Sequence, residues 1–192
     1  MSEHHEIALP PSLRLSGDGI QLREWTESDL SALVELYDDP EIDRWTPVPS
    51  PFTPEAARAH LAKAHQGREE GRRSAQLAIT TDGGQPRGEV LLFRCELDAR
   101  DVELAYGVGS RHRRQGLASR AVELMASYAS RDLGARRVLL RIEPANAPSE
   151  AVARTTGFRL TDDEPLTREA KGRRVELLTW CLECGGTDSP SN

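Results

Sequence analysis

The chain has 192 residues, with 25 lysines and arginines against 31 aspartates and glutamates, a formal charge of −6 and a 38% hydrophobic share. That length suffices for one fully cored domain, and net acidity argues against a nucleic-acid partner, whose phosphates want a broad basic surface. No apolar run reaches membrane-spanning length, residues 1–12 lack the basic start and apolar stretch of a secretion signal, and three cysteines argue against a disulfide framework. A cytoplasmic protein with no membrane partner is expected.

In chain order, residues 1–12 read as a flexible start. Ile20 to Arg23 is predicted as the first strand, and Thr26, with Asp29 three residues on, as a capping segment for a helix carrying Leu30, Leu33, Val34 and Tyr37. Asp39-Pro40 ends that helix. Prolines at 47, 49 and 51 make 42–53 a loop, after which Pro54-Glu55 begins a helix to about Gly67. Leu77 to Thr80 and Glu89 to Phe93 are expected to form a hairpin around Asp82-Gly83-Gly84. Val102, Leu104, Tyr106 and Val108 lie at period two, a strand that Gly107 and Gly109 break. From Gly116 onward, Leu117, Ala121, Leu124, Met125 and Tyr128 recur at helical spacing, with Gly134 as a left-handed cap. Val138 to Ile142 is a further strand, Asn146 opens a short helix ending at Gly157, and Phe158 to Leu160 and Val175 to Leu182 supply the last two strands. Residues 184–192 read as a flexible end.

The informative stretch is Arg113-Arg114-Gln115-Gly116-Leu117-Ala118, between a strand and a long amphipathic helix. Unpaired N–H groups at a helix start, the helix dipole and a glycine that lets an anion approach the backbone make a phosphate seat. A Walker A loop is excluded, since the only lysines are Lys63 and Lys171 and neither sits in that pattern. A dinucleotide fingerprint is excluded because Gly107-x-Gly109 has no third glycine in register. Charge is segregated: residues 24–43 hold eight acidic residues and no lysine or arginine, whereas residues 111–137 hold seven arginines against Glu123 and Asp132. A basic half suits a phosphorylated donor and an acidic half a cationic acceptor, with solvated helix faces as the bland alternative. Cys181-x-x-Cys184 has only Cys95, His4 and His5 as distant co-ligands, short of a zinc site, and no metal is expected.

Arg113-x-x-Gly116-x-Ala118 resembles the Q/R-x-x-G-x-G/A acetyl-CoA signature of the GNAT N-acetyltransferases. Glu103 to Val108, Arg113 to Ala118, Asn146-x-x-Ser149 and Thr156-Gly157-Phe158, in that order, are similar to the subgroup containing the ribosomal-protein N-terminal acetyltransferases (RimJ/RimL-like). Thr155-Thr156 departs from the usual basic-leucine pair before Gly-Phe. The resemblance implies a GNAT-like α/β (α+β) fold over residues 13–182: a mixed, mostly antiparallel sheet of six to seven strands, splayed centrally, with about four helices.

It further implies acetyl-CoA in the opening. The pyrophosphate would lie on Arg113, Arg114, Gln115, Gly116, Leu117 and Ala118, and the pantetheine beside Tyr106, Gly107 and Val108, with Asn146 contacting it and the acetyl oxygen on a backbone N–H near Val108. A primary amine would attack the thioester directly in a ternary complex. Many members of the family use a tyrosine late in the chain to protonate the departing thiolate; here no tyrosine lies beyond Ser149, so the resemblance makes Ser149, in the Asn-x-x-Ser block, the expected acid, with a first-turn hydrogen bond as its competing role. Glu103 is the expected base, with an ordinary polar strand position as its competing role. Trp45 is the aromatic expected to reach the acceptor, with core anchoring as the alternative. An α-amine is roughly one-tenth neutral at pH 7 and a lysine less than about one in a thousand, which favours a protein N-terminus or small molecule over lysine side chains. The alternatives are an antibiotic- or metabolite-acetylating enzyme of the same fold and a catalytically silent CoA-binding protein. A monomer or homodimer is expected.

Overall fold

The computed structural model describes residues 7–69 and 74–185. Among these the order is β1 (Leu15–Gly17), β2 (Ile20–Glu24), α1 (Leu30–Tyr37), α2 (Pro40–Trp45), α3 (Pro54–Glu69), β3 (Ser74–Thr80), β4 (Gly88–Arg94), β5 (Asp101–Val108), α4 (Leu117–Arg131), β6 (Arg137–Ile142), α5 (Ala147–Thr155), β7 (Arg159–Leu160), β8 (Leu166–Ala170) and β9 (Arg173–Glu183). The strands lie in the order β1-β2-β3-β4-β5-β6-β9-β7, with β8 paired to β9. Every pairing is antiparallel except β5 with β6. The mixed, mostly antiparallel open sheet of the expected fold class is present, with more strands than expected.

The parallel pair creates the opening. Asp101 to Leu104 pair with Arg137 to Leu140, and the pairing goes no further. Beyond that point β5 stays bonded to β4 as far as Val108, and β6 stays bonded to β9 as far as Ile142. Each wall of the wedge is therefore held from behind while its inner edge is unpaired.

Alternation decides which face each β5 residue takes. Val102 and Leu104 join Leu77, Ile79, Val90, Leu92, Val138, Leu140 and Trp180 against Leu117, Ala121, Val122 and Met125 of α4. Leu117 and Met125 are fully buried, each contributing roughly 1.5–3 kcal/mol by leaving water. On the other face Trp25, Leu33, Leu36, Tyr37, Ile42, Phe52 and Leu61 pack under α1, α2 and α3.

Five local features differ from the sequence expectation. β1 exists because Asp18 (φ 50) and Gly19 (φ 72) form the two-residue left-handed turn of a hairpin, Gly17 pairing with Ile20. Within the expected loop 42–53, residues 42–45 are helical. The pair that stops α1 starts α2: Pro40 is the first helical residue, and the Asp39 carboxylate accepts from the N–H groups of Glu41 and Ile42. β8 and the early start of β9 rest on a second such turn at Lys171 (φ 52) and Gly172 (φ 70). The ordered chain begins before residue 13, because Ile7 is buried in the α4-side core and its carbonyl accepts from Arg94 at 3.1 Å. Cys184 belongs to the body of the protein, its N–H donating to Arg136 O at 2.9 Å. The remaining residues of the expected ends, 1–6 and 186–192, lie outside the described residues.

Candidate active site

Beyond Val108 the chain turns through Gly109 to Gly116 into α4. Arg114 (φ 59) and Gly116 (φ 70) are both left-handed, and Gly116 is the helix N-cap, with no side chain to fill the cap. Arg120 N–H reaches Gly116 O at 3.1 Å, so the N–H groups ahead of it in the first turn have no place in the helix ladder. The Arg120 side chain folds back onto the loop, donating to Gln115 O (2.9 Å), Gly116 O (3.3 Å) and Asp18 O (3.0 Å). That grip engages the loop's carbonyls and leaves Arg114, Gln115 and Gly116 exposed. The geometry suits an anion seated on backbone N–H groups.

Arg113 faces inward. Its Nε donates to Val108 O at 3.1 Å and its Nη2 to Asp39 Oδ1 at 2.6 Å. Burial alone would raise the Asp39 carboxyl, but hydrogen bonds from Arg113 and the α2 backbone outweigh it and bring its pKa below the ordinary carboxylate range. Arg111 meets Glu35 at 3.2 Å, and Lys171 meets Asp43 at 2.5 Å. Of the acidic residues in 24–43, Glu35, Asp39 and Asp43 are thus matched by cations of the same chain.

At the wedge, Tyr106 crosses from β5 to α5 and its hydroxyl donates to Ser149 O at 3.3 Å. Burial pushes its pKa up to about 12, which keeps it protonated. Asn146 is buried and caps α5, its Oδ1 accepting from Ser149 N–H at 3.3 Å. The structure thus brings Tyr106, Asn146 and Ser149 together. A search for a late tyrosine misses that a strand tyrosine reaches the same turn; its place on the Val102-to-Val108 stripe was the available signal.

On the opposite face, Glu103 lies between Arg141 (3.5 Å) and Arg168 (3.4 Å). Along that face of β5 come Ala105 and Gly107, which raise no bulk above the sheet. Ile42 of α2 covers Gly107 so closely that a Cβ there would lie 3.0 Å from Ile42 Cδ1. A cavity of about 280 Å³, lined by Asp101, Arg137, Leu139, Arg141, Leu166 and Thr179 among others, lies on this side. Trp45 ends α2 with its indole N–H on Glu41 (3.1 Å) and the Arg44 guanidinium 4.5 Å over its ring, so its partners here are on its own helix.

One group escaped the sequence reading. Glu89, opposite Gly107 in the β4–β5 ladder, is 1% exposed. The Tyr37 hydroxyl donates to its carboxyl, and His60 Nε2 lies 3.3 Å away. Burial pushes its pKa up to about 8 and lowers that of His60. In sequence it is one polar residue heading an apolar strand.

Residues 20–159 match the family model of the acetyltransferase (GNAT) domain. The chain belongs to the GNAT acetyltransferases. It is 25% identical over 167 residues to the N-acetyltransferase p20 of Bacillus licheniformis, called uncharacterized in its name, covering 85% of this chain and 92% of that one. The fold is that of Mycobacterium smegmatis RimJ in complex with CoA-disulfide (TM-score 0.74, 21% identity, 90% of this chain and 86% of that). It is also that of RimL, a ribosomal L7/L12 alpha-N-protein acetyltransferase in complex with coenzyme A (TM-score 0.76, 18% identity, 89% and 98%). This GNAT enzyme is accordingly an acetyl-CoA-dependent N-acetyltransferase. Among its described residues no helix is long and apolar enough to cross a membrane.

Proposed function

We propose that this enzyme acetylates the α-amine of a protein N-terminus or a small primary amine, in the cytoplasm and as one catalytic domain. The supporting observation is the wedge between β5 and β6, with the Gly116 loop at its head and the low floor of Ala105 and Gly107 alongside. In this reading Arg114, Gln115, Gly116, Leu117 and Ala118 offer backbone N–H groups to the pyrophosphate of acetyl-CoA, and Arg113 braces the loop that carries them. Pantetheine runs along Tyr106, Gly107 and Val108 toward Asn146, and an N–H near Val108 donates to the acetyl oxygen as negative charge develops on it.

The amine enters over Ala105, with Ile42 of α2, seated on Gly107, and Trp45 shaping its approach. Glu103 takes the amine proton through water, and attack on the thioester carbon expels the thiolate. Ser149, or Tyr106 beside it, returns a proton to the sulfur. Favouring the α-amine are the ease of deprotonating it and the fold shared with RimL, named as an alpha-N-protein acetyltransferase. The test is thiol release from acetyl-CoA across peptides with free N-termini, the same peptides blocked, lysine side-chain peptides and small amines. Release with free N-termini or small amines is expected; release confined to lysine side chains, or none despite tight CoA binding, would overturn the proposal.

A further inference from the structure

We propose that Asp39 is a positioning residue that fixes the acceptor wall of the site to the donor loop. Three hydrogen bonds converge on its Oδ1: Arg113 Nη2 at 2.6 Å, Glu41 N–H at 3.0 Å and Ile42 N–H at 3.2 Å. Its side chain is 9% exposed. The same guanidinium holds Val108 O, the last residue of β5, at 3.1 Å. Ile42, set by this cap, lies on Gly107. Arg113, Asp39, Ile42, Gly107 and Val108 thus form a closed ring of contacts around the end of the strand at which acetyl transfer takes place.

A six-residue helix has too few internal hydrogen bonds to hold itself, so outside ties set where α2 stands. At its far end Lys171 donates to Asp43 O at 2.7 Å and Arg173 to Arg44 O at 3.4 Å. At its near end the tie is Asp39 with Arg113, a residue of the loop that seats the donor. Ordering that loop therefore orders α2, and a loosened Asp39 releases Ile42 from Gly107.

Asparagine caps a helix about as well as aspartate, so Asp39→Asn removes the charge and spares the cap, whereas Asp39→Ala removes both. In the full chain, Asp39→Asn is expected to raise acceptor KM about five- to tenfold while the CoA dissociation constant, by calorimetry, moves less than about twofold. Arg113→Gln is expected to raise acceptor KM similarly, and the double variant to do no worse than either single one, since both cut one tie. Acceptor KM within twofold of wild type in Asp39→Asn, or effects that multiply in the double variant, would overturn the proposal. The kinetic arm rests on the proposed acceptors, so amide hydrogen exchange supplies a second readout that needs only CoA. Exchange at residues 42–46 is expected to slow when CoA binds the wild type and to stay at least about tenfold faster in Asp39→Asn. Identical exchange in the two proteins would overturn the proposal whatever the acceptor.

Discussion

Glu89→Gln tests whether the buried carboxyl is held protonated. In the folded chain its pKa is pushed up to about 8 from an ordinary value of 4.5, chiefly by burial. Below pH 4.5 both states carry the proton and nothing is lost. Between 4.5 and 8 the folded state keeps a proton the unfolded state has released, so stability falls as pH rises, and above 8 the loss is complete. His60 works in the other direction: burial lowers its pKa below the ordinary 6.5, so its contribution is lost as pH falls through 6.5 and is essentially constant above it. The buried thiol of Cys181, pushed up to about 11, adds pH dependence only above the range needed. The interval from pH 6.5 to 8 thus isolates Glu89. At about 1.4 kcal/mol per pH unit, wild type should lose about 2 kcal/mol across it. Glutamine keeps the shape and an oxygen to accept from Tyr37 but has no proton to lose. Urea unfolding midpoints at pH 6.5, 7.25 and 8 should therefore fall for wild type relative to Glu89→Gln. Parallel midpoints in the two proteins would refute a protonated Glu89.

The remaining predictions concern the site. Gly116 stands at φ 70 as an uncapped helix N-cap, so Gly116→Trp should weaken CoA binding at least about a hundredfold by calorimetry; unchanged affinity would sink the pyrophosphate assignment. Ser149→Ala and Tyr106→Phe separate the two hydroxyls at the wedge, the acid being the one whose removal cuts kcat about a hundredfold with CoA affinity retained. A Ser149→Ala enzyme with unaltered turnover removes Ser149 from the chemistry. Glu103→Gln should lower kcat/KM for the amine by about a hundredfold, with CoA affinity retained; an unaltered pH–rate curve in that variant would return Glu103 to a structural ion pair with Arg141 and Arg168.

What could be read from sequence was what local physics alone decides. The β5 stripe, the α4 periodicity and the Gly116 helix start each encode their own conformation, and the four ordered blocks named the family before any geometry. Elements whose signal lies in partners were missed. β8 shows no apolar alternation, because its middle residues Thr167, Arg168 and Glu169 are exposed, and its place is set by the Lys171-Gly172 turn and its ladder with β9. α2 was hidden because Asp39-Pro40 reads equally as a stop or a start, and choosing requires knowing that Arg113, 74 residues on, holds Asp39. Glu89 and the Tyr106 hydroxyl at Ser149 are facts of three-dimensional neighbourhood that no spacing records.

Charge shows the same limit from the functional side. The segregation of acidic residues in 24–43 from arginines in 111–137 is real in sequence, but folding joins several of the two sets. Glu35 takes Arg111 and Asp39 takes Arg113; Arg136 and Arg137 are spent on Asp101, and Arg120 on the carbonyls of its own loop. Exposed pairs such as Glu35 with Arg111 add little stability, but together these contacts commit five of the seven guanidinium groups to partners within the chain. What remains at the head of the wedge is mainly a backbone of free N–H groups shaped by left-handed Arg114 and Gly116, with the arginines as its frame. A seat built that way tolerates loss of a single cation better than loss of the one residue whose missing side chain lets the phosphate reach the main chain, and that residue is Gly116.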